Sequence, residues 1–171
     1  GMRVMARWAL EQDKAKALTI ENVTNLQYQV KPIDLYFKDV KAVALQMPPA
    51  IINSLGIIEH TTGAWINKPI PEFYPSMKFT VVAMPNPHMV AAVDTVDIAL
   101  LEEIGKAAND NKTIFPQGVN VSFTQYINND VIYVATYERG VGLTNACGTA
   151  MIASTITGIL IEKLSKNHQV K

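Results

Sequence analysis

The segment that most constrains the fold is an apolar run near the end of the chain, at residues 150–161. Arranged as a helix, its apolar side chains cover every side instead of one stripe, which is typical of a helix buried in a core. The run is too short to cross a bilayer, which takes about 20 residues. Small side chains would let surrounding strands approach it closely: Ala150, Ala153, Ser154 and Gly158. We therefore predict a helix enclosed by β-strands.

Strand-like segments dominate the rest of the chain. Residues 26–30 alternate between apolar and polar, which indicates a strand with one buried face. The pattern also predicts strands at 17–21, 33–40, 79–84, 89–93, 119–127 and 131–137, and helices at 2–12 and 96–108, the second capped by Asp94 or Thr95. Because strands occur in runs and do not alternate strictly with helices, the predicted class is α+β.

A proline-rich stretch interrupts this pattern in the first half of the chain. Residues 48–75 contain five prolines and two glycines, and no periodicity persists through them. We place a candidate linker at 67–76. The predicted domains are therefore 1–70, a helix followed by strands, and 71–171, strands followed by a helix.

Charge and cysteine content limit the classes of function. Lys plus Arg and Asp plus Glu number 15 each, so the net charge is zero and gives no electrostatic reason to expect nucleic acid or an acidic membrane as partner. A single cysteine cannot form an internal disulfide, which favours the reducing cytoplasm. Three scattered histidines do not make a metal site, and no phosphate loop is present. We expect no metal and no cofactor.

Cys147, the only cysteine, follows a Gly-rich turn and directly precedes the apolar helix. At the start of a helix the macrodipole favours the thiolate, and Arg139 is near in sequence, so we expect Cys147 to be more acidic than a free cysteine. The free N–H groups of Gly148 and Thr149 can hold a carboxylate. Taken alone, however, a free cysteine is more often a small buried hydrophobic residue.

The other candidates have equally ordinary interpretations by themselves. Adjacent charges such as Glu138 and Arg139 are usually solvated at a strand end, although arginine suits a planar carboxylate partner. Asn86 and Asn120 are most often turn residues. His88 alone is more often structural than catalytic.

Three motifs in order along the chain resemble those of the diaminopimelate epimerase family. They are Pro-Asn-Pro-His at 85–88, Phe-Pro-Gln-Gly-Val-Asn-Val at 115–121, and Glu-Arg-Gly-Val-Gly at 138–142 followed by Thr144 and Ala-Cys-Gly-Thr at 146–149. Pro85 replaces the family's usual glycine, and Asn145 stands where an apolar residue is common. The combination is highly specific, whereas each motif alone is weak.

The resemblance implies an isomerase that interconverts LL- and meso-diaminopimelate, in lysine and peptidoglycan synthesis, by proton transfer between two cysteines without a cofactor. It implies catalytic roles for Cys147, Glu138 and His88. It implies substrate-binding roles for Asn86, Asn120, Glu138, Arg139, Gly148 and Thr149. The partner implied is a small amino acid.

The family fold implied is two similar lobes, each a sheet wrapped around one central helix, and the chain resembles only the middle of the family's length. The family's first cysteine lies in a Cys-Gly-Asn-Gly turn that is not in this sequence. The residues from Gly1 onward resemble the helix that follows this turn in the family. Both lobes are then incomplete. We expect the chain alone to be inactive and to self-associate as a homodimer or larger, because strand edges are left unpaired.

Two alternatives stay open. The chain could be another isomerase on the same scaffold, of the proline racemase or phenazine-biosynthesis type, or a non-catalytic binding or oligomerising remnant. The charged pair Glu138 and Arg139, together with Asn86 and Asn120, favours diaminopimelate, because a substrate with two amino-acid ends needs a second polar anchor.

Overall fold

The computed structural model describes residues 18–21, 27–34, 41–47, 49–54 and 56–166. The chain divides into two compact units, Gly1–Pro49 and Ala50–Lys171. The predicted helix at 2–12 lies outside the described residues. The division at 49/50 precedes the predicted domain boundary at 70/71, because residues 51–70 form bridges and a strand with the second unit, such as the bridge from Ile51 to Ala83. The assignment of the chain to two lobes of a larger fold stays a prediction.

The first unit contains an antiparallel sheet of three strands. Its strands are β1 (Leu18–Glu21), β2 (Gln27–Asp34) and β3 (Lys41–Gln46), in that spatial order. The sequence pattern predicted separate strands at 26–30 and 33–40, but β2 continues without a break from Gln27 to Asp34, and residues 35–40 lie outside the described residues. Pro32 is instead inside β2, opposite Val43. Among the described residues, β1 pairs with β2 only as far as Val30, and a proline is tolerated in a strand where no neighbour needs its N–H.

The second unit is a mixed sheet of six strands with two helices. The strands are β4 (Lys68–Ile70), β5 (Tyr74–Ala83), β6 (Pro87–Ala92), β7 (Asn120–Tyr126), β8 (Ile132–Glu138) and β9 (Gly142–Thr144), in spatial order from β4 to β9. Helix α1 (Ile98–Asp110) connects β6 to β7, the only parallel neighbours among these strands, and α2 (Gly148–Leu160) follows β9. This architecture confirms the predicted α+β class.

Helix α1 packs against one face of this sheet. Asp97 begins the helix, since its side chain accepts a hydrogen bond from the backbone N–H of Leu100 at 3.1 Å. The expected caps, Asp94 and Thr95, were therefore two or three residues early. Leu101, Ile104 and Ala108 are buried, as are the strand residues beneath them: Phe79, Val81, Met89, Ala91, Val121 and Phe123.

Helix α2 lies on the opposite face, where the alternating strand residues are mostly polar. Thr124 donates a hydrogen bond to Ser154 at 2.7 Å, and the Tyr126 hydroxyl donates to the Ser154 carbonyl at 2.8 Å. Beside them Ser122 and Thr136 are hydrogen-bonded at 3.0 Å. The small residues of α2, among them Ala150, Ala153, Ser154 and Gly158, are buried against this face.

The expectation that the sheet encloses α2 on all sides is not met within the described residues. The larger apolar side chains of the helix are only partly buried: Met151, Ile152, Ile156, Ile159 and Leu160. They point away from the single wall of strands, which contacts the small residues. Neither described helix is long and apolar enough to cross a membrane.

Candidate active site

Cys147 is the N-cap of α2 and has an extended backbone, with φ −130° and ψ 110°. Its side chain is half-buried. The first N–H groups of a helix have no partner within the helix, and here they belong to Gly148, Thr149 and Ala150. A Cβ added at Gly148 would meet no atom of another described residue within 4 Å, so the space beside Gly148 is open in the described part of the chain. The start of α2 thus presents a thiol beside the backbone N–H groups of Gly148 and Thr149.

A line of polar atoms connects Cys147 to β6. The Sγ of Cys147 is 3.4 Å from Thr149 Oγ1, and Thr149 Oγ1 is 3.1 Å from His88 Nε2. The same Nε2 is 3.3 Å from Asn86 Oδ1, which belongs to the turn between β5 and β6. Three separate segments therefore meet around one imidazole ring.

His88 is completely buried beside α2. In the sheet it lies opposite Val82 of β5 and in parallel register with Asn120 of β7. Burial, together with a smaller effect of the nearby positive charge of Arg139, lowers the pKa of His88 from 6.5 to about 4. His88 is consequently a neutral imidazole at physiological pH.

The end of β8 places the charged pair at the same edge of the sheet. The backbone N–H of Arg139 donates to Asn120 Oδ1 at 2.8 Å, and its Nη1 donates to the Gln117 carbonyl at 2.8 Å. Glu138 Oε1 accepts a hydrogen bond from Thr144 Oγ1 at 2.6 Å. The strand ends at Glu138, since Gly140 has a φ of +77° that turns the chain into β9.

The pKa of the Cys147 thiol is raised and not lowered, so the expectation of an acidic cysteine was wrong. Burial has the largest effect, and the charge and hydrogen bond of Glu138 add to it. Hydrogen bonds from Thr149 and from the Ala150 backbone act in the opposite direction without outweighing burial. The sequence showed the helix start but not the burial or the position of the carboxylate, which are tertiary features.

All eight predicted site residues lie at one edge of the second unit. The starts of the parallel strands β6 and β7, the end of β8 and the start of α2 meet there. Among the described residues no group of three or more His, Cys, Asp or Glu side chains could hold a metal ion. The arrangement can move a proton at the Cys147 thiol and bind a carboxylate of a ligand at the helix start. The Glu138 carboxylate and the Arg139 guanidinium can pair with oppositely charged groups of the same ligand.

Sequence reasoning missed two residues that position the site. Asn109, at the end of α1, holds the segment before Asn120, because its amide donates to the Val119 carbonyl at 2.9 Å and accepts from the Val119 N–H at 3.1 Å. Thr144 holds one oxygen of Glu138. Thr144 belongs to the third motif and could have been considered, whereas no local pattern marks Asn109.

Comparison with known proteins relates this chain to one family. The sequence profile described as Diaminopimelate epimerase matches residues 80–171. A diaminopimelate epimerase from Clostridium acetobutylicum is 37% identical over an alignment of 171 positions, which covers 99% of this chain and 51% of that relative. Relatives of the same name from Ligilactobacillus salivarius and Enterococcus faecalis are 37% and 34% identical, over 94% and 95% of this chain and 50% of each relative. The chain spans about half the length of the curated relatives it matches.

Proposed function

We propose that this chain, which belongs to the diaminopimelate epimerase family of isomerases, contributes one catalytic half of a cofactor-independent epimerase site. The substrate proposed is diaminopimelate, interconverted between its LL and meso forms, and the proposed location is the cytoplasm. The observation that carries the proposal is the placement of Cys147 at the start of α2, within reach of Glu138 and of the Thr149–His88 contact.

Cys147 is the proposed acid–base group. As a thiolate, its sulfur accepts the proton from the α-carbon of the substrate, and as a thiol it returns a proton to the same face. Glu138 borders this thiol, and the neutral His88 is connected to it through the Thr149 hydroxyl. Inversion also needs a proton donor on the opposite face, for which the family resemblance implies a second cysteine from the other lobe.

The N–H groups of Gly148 and Thr149 are the proposed ligands of the α-carboxylate. Removal of the α-proton transfers negative charge onto this carboxylate, and fixed N–H dipoles stabilise the charge where it develops. The open space in front of Gly148 leaves room for the ligand. A side chain at this position would occupy that room, so glycine suits the role.

The remaining polar residues suit a substrate with charged groups at both ends. One oxygen of Glu138 is held by Thr144, which leaves the other for an ammonium group. The oxygen of the Asn120 amide is engaged by the Arg139 backbone, so its NH2 group is the part available to a ligand. Arg139 and Asn86 complete this proposed set.

The alternative is a non-catalytic role in binding or oligomerisation, which the exposed apolar side chains of Ile127, Val131 and Tyr133 support. Fusion of the chain to the flanking segments of a relative should give an active epimerase if the chain is catalytic, and no activity if it is not. We expect the isolated chain to be inactive as an epimerase.

The test is turnover by a completed protein. The chain is fused to the flanking segments of the Clostridium acetobutylicum relative, and loss of α-deuterium and inversion of LL-diaminopimelate are followed by NMR. We expect turnover in the fusion and its loss in the same fusion carrying Cys147→Ala, by about 10²-fold or more. A matched fusion carrying Ser76→Ala, an exposed residue of β5 outside the site, should retain activity. A folded fusion without activity, or an active Cys147→Ala fusion, contradicts the proposal.

We also infer that a second copy of the chain is its macromolecular partner. β9 pairs with β8 only at residues 136–138, and within the described part of the chain no other strand pairs with the outer edge of residues 132–135. Tyr133, Val131 and Ile127 are about half exposed beside this edge. Unpaired apolar edges favour strand addition. Light scattering should show dimers or larger species, and a stable monomer contradicts the inference.

A further inference from the structure

The Thr149 hydroxyl lies between the thiol and the imidazole, in contact with both. Its oxygen is 3.4 Å from Cys147 Sγ and 3.1 Å from His88 Nε2. A hydroxyl carries a single proton, so it can donate to only one of these neighbours at a time. The direction of that bond decides which form of the sulfur is favoured, because a donated O–H stabilises a thiolate and an accepted S–H stabilises a thiol.

Asn86 decides which nitrogen of His88 carries the proton. The amide oxygen of Asn86 is 3.3 Å from Nε2, and a carbonyl oxygen can only accept a hydrogen bond. Asn86 stands between Pro85 and Pro87, and its own carbonyl accepts from the Met84 N–H at 2.8 Å, so this turn is stiff. The neutral ring therefore carries its proton on Nε2.

The other ring nitrogen agrees with this tautomer. Nδ1 of His88 is buried and has no hydrogen-bond partner among the described residues. With the proton on Nε2, Nδ1 is a bare lone pair and no buried N–H donor is left unsatisfied there.

We propose that Thr149 is a positioning residue: the Nε2–H group of His88 engages its oxygen, and its own proton is thereby directed to Cys147 Sγ, where it favours the thiolate. The Nε2–H group is shared between Asn86 Oδ1 and Thr149 Oγ1, an arrangement of one donor and two acceptors. The hydroxyl then opposes burial and Glu138, which both favour the neutral thiol. Asn86 and His88 act on the sulfur only through Thr149.

The test compares Thr149→Val, which keeps the shape and removes the hydroxyl, with Thr149→Ser, which keeps the hydroxyl. The rate of Cys147 alkylation by iodoacetamide is measured against pH in each variant of the 171-residue chain. We expect Thr149→Val to raise the apparent pKa by about one unit and to slow alkylation about tenfold on the acid side of the curve. Thr149→Ser should remain within about twofold of the unmodified chain. Superimposable curves for the valine variant and the unmodified chain overturn the proposal.

A second measurement needs no substitution, so it tests the proposal even if the Thr149→Val variant does not fold. The ¹⁵N chemical shifts of the His88 ring in the unmodified chain distinguish the two tautomers. A proton on Nε2 is expected, and a proton on Nδ1 overturns the proposal. The inference deepens the proposed acid–base role of Cys147, yet iodoacetamide is not a substrate. A chain that behaves as expected here and still fails to epimerise when completed contradicts the proposed function alone.

Discussion

The two faces of the six-stranded sheet are built from the same strands but differ in chemistry. The face toward α1 is apolar, with Phe79, Met89 and Phe123 completely or almost completely buried. The face toward α2 carries His88, Ser122 and other polar residues, equally buried. Apolar packing is non-directional and stabilises the fold in proportion to the area it buries. Buried polar groups need partners with defined geometry, and this requirement is what positions the thiol.

The residues that stabilise the fold and those that form the site lie on opposite faces of the same strands. Each strand contributes alternate residues to the two faces. A change on the α1 face should therefore alter the free energy of unfolding and leave the site unchanged. A change on the α2 face should act on hydrogen bonds, protonation and reactivity.

The largest expected effect is the loss of packing on the α1 face. Leu101→Ala should lower the free energy of unfolding by about 2–5 kcal/mol, because Leu101 is fully buried and the cavity collapses only in part. Ile98→Ala in the same helix is the control, since Ile98 is 44% exposed, and should cost less than about 1 kcal/mol. Urea denaturation measures both. Equal effects of the two substitutions would show that the α1 face is not the stabilising core.

A pH-dependent loss of stability of about 3 kcal/mol is expected from the α2 face. The pKa of His88 is lowered from 6.5 to about 4, so the unfolded chain binds a proton more readily than the folded chain. The contribution of neutral His88 is complete above pH 6.5 and is lost as the pH falls toward 4. Urea midpoints across this range measure it. His88→Gln should flatten the profile, whereas His60→Gln, at an exposed position, should not. A pH profile that His88→Gln leaves unchanged contradicts the burial of a neutral ring.

Smaller changes in stability should distinguish hydroxyls of α2 that are hydrogen-bonded from those that are not. Ser154→Ala removes the acceptor of the Thr124 hydroxyl, and a buried group left without its partner costs about 1–3 kcal/mol. Thr157 Oγ1 has no hydrogen-bond partner among the described residues although it is buried, so Thr157→Val should be neutral or stabilising by up to about 1 kcal/mol. Thermal unfolding of the two variants gives the comparison. Destabilisation by Thr157→Val equal to that of Ser154→Ala would mean that hydrogen bonding is not what distinguishes these hydroxyls.

Sequence periodicity and motifs predicted much of the second unit for physical reasons. Alternation and turn residues indicated β5 to β8 because strand side chains alternate between faces. All eight candidate residues belong to the three motifs and lie at the common edge, whereas Asn109, which positions this edge, belongs to none of them. The family resemblance is confirmed by the sequence profile and by the named relatives.

Features that depend on distant neighbours could not be predicted in this way. The raised pKa of Cys147 follows from burial and from Glu138, neither of which the local helix start reveals. Pro32 continues β2 opposite Val43 of β3, and this pairing between strands is a property of the sheet. Asp94, Thr95 and Asp97 are all suitable N-cap residues, and the sequence alone does not show which of them begins the helix.

The central claim is that the neighbours of Cys147 on the α2 face set the protonation of a proton-transferring thiol, and the alkylation rate of Cys147 against pH tests it most directly. The unmodified chain should give an apparent pKa above that of a free cysteine, and Glu138→Gln should lower it, because the carboxylate charge that opposes the thiolate is removed. Ile98→Ala, on the helix of the other face, should leave the curve unchanged. An apparent pKa below that of a free cysteine, or a curve that Glu138→Gln does not shift, would contradict the account.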